Sequence, residues 1–126
     1  MGVQMKLFPT NTNEEYYWQD EEIYRRWRDE GATKAELARE YRRQPMTIYN
    51  IIDRRKGRDE ELWKAIEQAV VYLCYDFGMI QRTYNVLTRN GYKTLSDISD
   101  LDIDDFVDTV RNAGQKVGNV LRIVRG

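Results

Sequence analysis

The 126-residue chain has no histidine, a single cysteine and only two prolines, and no apolar run long enough to span a bilayer. Without histidine there is no imidazole to act as general base, as zinc ligand or as partner of a serine or cysteine nucleophile. Most hydrolytic mechanisms are thereby excluded, and no enzymatic role is expected. The lone Cys74 rules out an internal disulfide framework and a thiolate metal cluster. Its place at helical spacing after Val70, Val71, Tyr72 and Leu73 predicts a plain core residue. No glycine-rich phosphate loop of the Walker type occurs, so no cofactor is expected. Residues 1–13 lack the basic-then-apolar pattern of a secretion signal, and the expected setting is cytoplasmic, with no membrane partner.

What the chain does have is charge, 20 basic against 21 acidic residues, unevenly spread. Between Gly31 and Arg58 lie Lys34, Arg39, Arg42, Arg43, Arg54, Arg55, Lys56 and Arg58, opposed by Glu36, Glu40 and Asp53. Eight against three leaves +5 in a chain whose net charge is −1. A clustered basic stretch with acidic flanks is the electrostatic footprint of a phosphate-bearing partner.

The periodicity predicts an all-α protein in four parts. Residues 1–19 read as an N-terminal arm whose Tyr16, Tyr17 and Trp18 cover a core edge. Residues 20–57 form a first module. A helix from Asp20 presents Ile23, Tyr24 and Trp27 on one face and stops at Gly31. Thr33 caps a second helix, Glu36 completes its capping box, and Ala35, Leu37, Ala38 and Tyr41 form the buried side. Pro45 opens a third helix with Ile48, Ile51 and Ile52 inward. Residues 58–77 read as a long linker helix whose apolar stripe, Leu62, Ile66, Ala69, Val70, Leu73 and Phe77, is a candidate homodimer seam. Residues 78–126 break into short helices separated by turns at Gly91 and at Asn112 to Gly114. Their expected interior is Leu87, Leu95, Ile98, Leu101, Phe106, Val110 and Leu121. The acids Asp97, Asp100, Asp102, Asp104, Asp105 and Asp108 lack the glycine and terminal glutamate of a calcium loop. Asp100 and Asp102 are expected to cap helices, and no metal site is expected.

The stretch TKAELAREYRRQPMTIYNII resembles the helix-turn-helix of bacterial and phage transcription regulators, the Mor-type activators among them. Ala38 is the small residue where two helices cross, and Ile48 and Ile51 point inward. The stretch departs from that pattern in its turn, with Arg42 where glycine is usual and Arg43 where an apolar residue is usual. The resemblance implies a recognition helix over 45–56 with Gln44, Met46, Thr47 and Asn50 facing the major groove and Tyr49 at the margin. Asn and Gln suit an adenine edge, and Thr can approach a thymine methyl. Arg42, Arg43, Arg54 and Arg55 flank that helix and suit phosphate contacts.

Farther on, IQRTYNVLTRNGYKTLSDISDLDIDDFVDTVRNAGQKV resembles the C-terminal domain of the RNA polymerase alpha subunit, a compact helical fold ending in a helix-hairpin-helix-like turn. The resemblance implies that Arg82 and Asn85 reach into an A·T-rich minor groove and that the turn with Asn112, Gly114 and Lys116 grips the backbone. Val117 stands where serine is usual and Val120 where an acidic residue is usual. Together the two resemblances imply a regulator, of phage or mobile-element type, whose partners are double-stranded DNA and RNA polymerase. The alternative is a protein-interaction module that modulates polymerase without binding DNA itself.

Overall fold

The structure is a computed structural model that describes residues 12–126. These residues fold as eight α-helices without a strand: α1 (Thr12–Asp29), α2 (Lys34–Glu40), α3 (Pro45–Arg55), α4 (Glu60–Leu73), α5 (Gly78–Arg89), α6 (Leu95–Ser99), α7 (Ile103–Thr109) and α8 (Gln115–Arg125). The chain divides into two compact units, one ending at Arg58 and the other beginning at Asp59. Among the described residues, no helix is long and apolar enough to cross a membrane.

In the first unit α1 begins at Thr12, two turns before the expected start at Asp20. Glu14 and Glu15 lie in its first turn, where carboxylates complement the helix dipole, and Tyr16 to Gln19 contain no breaker. The second half of the expected arm is therefore helix, while residues 1–11 lie outside the described residues. Of the expected aromatic patch, Tyr16 and Trp18 are exposed and Tyr17 is half-buried. Ile23 and Tyr24 are buried inward, and Trp27 packs half-buried against the same core. Thr33 Oγ1 accepts from Glu36 N–H and Glu36 accepts from Thr33 N–H, so the capping box forms and starts α2. Leu37 and Ala38 are buried, but Ala35 is exposed because it lies on the outer side of this seven-residue helix.

Helix α2 ends in a Schellman motif. The Arg43 N–H donates to Ala38 O at 3.0 Å and the Arg42 N–H to Arg39 O at 3.3 Å, which puts Arg42 in the left-handed region at φ 55°. The glycine position of the turn thus keeps its backbone shape with an arginine in it. Pro45 then fixes the first turn of α3. Ile48, Ile51 and Ile52 of α3 pack against α1 and α2 to close a core with Ile23, Tyr24, Leu37 and Ala38.

The second unit contains the helix expected as a linker. Asp59 caps α4 through Leu62 N–H, and the stripe Leu62, Ile66, Ala69 and Val70 is wholly buried against α5 and α8 of the same unit. That part of the expected seam is thus covered within the unit, while Leu73 and Phe77 are half-buried. α4 stops at Leu73 rather than Phe77 because Cys74 turns left-handed, φ 58°, in another Schellman motif closed by Tyr75 N–H to Val70 O at 3.1 Å. Cys74 is consequently exposed and is not a core residue. Leu87, Ile98, Leu101, Phe106 and Leu121 form the interior, with Leu95 and Val110 half-buried. Asp102 caps α7 through Asp105 N–H, whereas Asp100 sits at the C-terminal end of α6 and caps no N-terminus. Asp97 closes a capping box with Thr94. Its carboxyl is held below the usual range, first by the Lys93 N–H and then by the Thr94 N–H.

Candidate nucleic-acid interface

Helix α3 is two-sided. Ile48 and Ile52 are fully buried, and at about 100° per residue Met46, Asn50 and Asp53 fall on the opposite side. Gln44, Met46, Tyr49 and Asn50 are exposed and Thr47 is half-buried. Met46 is 67% exposed and Tyr49 48%. Lys34 Nζ sits 3.9 Å from the centre of the Tyr49 ring, a cation–π contact that orients the ring.

The arginines around α3 sort into two groups. Arg42 and Arg54 are exposed. Arg43 and Arg55 are not, which corrects their expected place in the phosphate set. Arg55 is buried, donating from Nε to Glu21 Oε2 at 2.8 Å and from Nη1 to Ile51 O at 3.3 Å. Arg43 donates from Nη1 to Gln19 Oε1, lies 3.1 Å from Asp20 Oδ1, and covers the Tyr16 ring. Arg58 joins Arg55 on the same carboxylate, with Nη2 2.8 Å from Glu21 Oε1 and only 4% of its side chain exposed. Part of the +5 read from sequence is therefore neutralised inside the unit by acids of α1.

Asp20 and Glu21 are adjacent yet titrate in opposite directions. Burial raises the Asp20 carboxyl above its ordinary value, and Arg43 and Arg55 offset this only in part. Its Oδ1 has no well-aligned donor, although Arg43 is close. Burial also pushes Glu21 upward, but hydrogen bonds from Arg58 and Arg55 outweigh it and hold the carboxyl below its ordinary range.

In the second unit an open groove of about 420 Å³ gathers Gln81, Arg82, Asn85 and Arg89 of α5 with Asn112. It brings together three of the expected residues, Arg82, Asn85 and Asn112. Arg89 is an addition, legible as the residue one turn beyond Asn85 on the same helix face. Asn85 Oδ1 already accepts from Gln81 at 2.9 Å. Asn112 is left-handed, φ 69°, a conformation asparagine tolerates well. Gly114 and Lys116 do not line this groove. Gly114 is the N-cap of α8 in an ordinary extended conformation with no side-chain cap, and Lys116 Nζ lies 5.4 Å from the Tyr75 ring centre. No group of three His, Cys, Asp or Glu side chains could hold a metal ion among the described residues. No family model, no curated protein and no solved structure matches the chain.

Proposed function

We propose that the chain is a double-stranded DNA-binding protein of the transcription-regulator type, with α3 as its major-groove helix. The observation that carries the reading is the two-sidedness of α3. Its inner side is locked by Ile48, Ile51, Ile52 and Arg55, while the outer side offers Asn50 and Gln44 for base edges, and Arg42 and Arg54 for phosphates. The groove with Arg82, Asn85, Arg89 and Asn112 supplies a second, cationic contact to the duplex. A protein-interaction module for RNA polymerase is the competing reading. It is favoured by the second unit's charge, eight basic against eleven acidic residues from Asp59 onward, a poor balance for meeting a polyanion.

Fluorescence anisotropy with mixed-sequence and A·T-rich duplexes across a salt series tests the proposal. The logarithm of affinity should fall with the logarithm of salt by about 0.9 per neutralised phosphate. Asn50→Ala should reduce sequence preference, and Arg82→Ala should weaken binding to both duplexes. Loss with Asn50→Ala alone would leave the second unit to protein contact. Absence of salt-sensitive binding at low ionic strength would transfer the proposal to the polymerase-interaction reading.

A further inference from the structure

We infer that the outer side of α3 selects thymine methyl groups and adenine edges, so that the major-groove ligand of this chain is an A·T-rich duplex and not a G·C-rich one. The inference rests on the DNA-binding reading above and specifies its substrate.

The outermost row of α3 is Met46, Asn50 and Asp53, with Thr47 and Tyr49 on its shoulders. Nothing from Gln44 to Asp53 is cationic. Guanine shows two acceptors, N7 and O6, to the major groove, and its usual readers are Arg and Lys. Of the nearby cations, Arg43 is turned toward Gln19 and Asp20, Arg55 is buried on Glu21 and Lys34 lies on the Tyr49 ring, which leaves the exposed Arg54, assigned above to phosphate, as the cation on this side of α3. Asp53 can accept from the amino group of either adenine or cytosine, so it limits guanine contact on its own strand without separating A·T from G·C pairs. Its pairing with Lys56 is long, 3.8 Å, and half-exposed, so the charge stays available to the groove.

Against guanine the row offers what an A·T pair presents. Adenine pairs an acceptor and a donor that the Asn50 amide can meet together, and thymine carries a C5 methyl. Met46 is the matching surface: a flexible thioether, more exposed than any other large apolar side chain among the described residues of the unit, at the N-terminal end of α3 where recognition helices touch base edges. Its apolar surface is covered only when an apolar group comes to it.

The test compares two duplexes of roughly 25 base pairs, enough for two helical turns, with one A·T-rich sequence made either with thymine or with uracil. The pair differs only by the C5 methyl in the major groove, so contacts of the Arg82 groove to a minor groove cancel in the ratio. We expect the thymine duplex to bind about fourfold tighter per buried methyl, and a G·C-rich duplex of equal length to bind more weakly than either. Met46→Ala should bring the thymine-to-uracil ratio to one without changing the melting temperature, and Asn50→Ala should weaken both while preserving the ratio. Salt-sensitive binding with a wild-type ratio of one, or equal binding of the G·C-rich duplex, overturns the inference and leaves the DNA-binding reading standing. Failure to bind any duplex at low salt overturns both.

Discussion

The first unit secures its helices with charge where the second uses hydrocarbon. Seven apolar residues are buried in the first unit and seventeen in the second, among those described. The smaller core is supplemented by a polar layer in which Asp20 and Glu21 of α1 face Arg43, Arg55 and Arg58. The second unit has a surface ion pair, Arg122 with Asp104 at 2.6 Å, both side chains well exposed. Arginine in a basic stretch can therefore be structural or available, and only its neighbours in space decide. The groove arginines Arg82 and Arg89 remain on the surface, whereas three of the arginines near α3 are spent on α1.

The largest expected effect breaks that polar layer. Glu21→Ala leaves two buried guanidinium groups without their carboxylate and should cost about 3 kcal/mol. Arg122→Ala removes an exposed pair and should change stability by no more than about 0.5 kcal/mol. Urea unfolding, with amide signals of each unit followed separately by NMR, checks both. Equal effects would mean that the layer is no more than surface decoration.

The pH dependence sharpens the same contrast within two adjacent residues. Glu21 has a lowered carboxyl in the folded state, so its contribution is complete above its unfolded value, ordinarily 4.5, and is lost as pH falls through the lower folded value. Asp20 has a raised one, so the unfolded chain releases that proton first and the first unit loses stability as pH rises between the two values. Glu21→Gln should flatten the acid limb of the first unit's stability curve. Asp20→Asn should act the other way, increasing stability at neutral pH, where the buried charge is removed. A stability curve for Asp20→Asn that matches the parent at pH 7 would contradict this assignment.

The second unit's dependence on hydrocarbon gives a smaller effect. Thr83 is fully buried and its hydroxyl has no hydrogen-bond partner, so Thr83→Val exchanges an orphaned polar atom for a methyl of nearly the same shape. A gain of about 1 kcal/mol is expected, read as a higher urea midpoint for the second unit's amide signals. A loss would show that the hydroxyl has a partner in solution.

Helix identity was legible wherever a local signal was complete. The Thr33 and Glu36 capping box, Pro45 at the start of α3 and the isoleucines 48, 51 and 52 all hold. What escaped reading depended on partners distant in the chain or on backbone turns without glycine. Arg55 and Arg58 look like any basic residues until Glu21, thirty-four and thirty-seven positions away, is brought to them. Cys74 follows the spacing of a core residue, but the helix ends beneath it in a left-handed turn that no Gly or Asn announces. At the groove beside Arg82, Arg82 and Asn85 entered the reading through the resemblance, and Arg89, one turn beyond Asn85 on the same helix face, escaped it. Asn112 was legible from the pattern as a turn residue, and its contact role entered through the resemblance.

The two left-handed positions that flank proposed contact surfaces give the finest version of the comparison. Asn112 meets the requirement with a residue that visits this region readily, but Arg42 must bear the Cβ clash at φ 55°, a cost of about 1–2 kcal/mol for an L-residue. Glycine relieves the clash and adds unfolded-state entropy worth about 0.5–1 kcal/mol, so Arg42→Gly should stabilise the first unit by about 0.5 kcal/mol. Asn112→Gly should change the second unit hardly at all. Under the proposed function Arg42→Gly has an opposite effect on binding, since a phosphate contact is lost and the salt slope becomes shallower by about 0.9. A variant that melts later and binds DNA more weakly would show that arginine is kept at this strained position for its charge. One that melts later and binds unchanged would remove Arg42 from the phosphate set, leaving Arg54 to carry it.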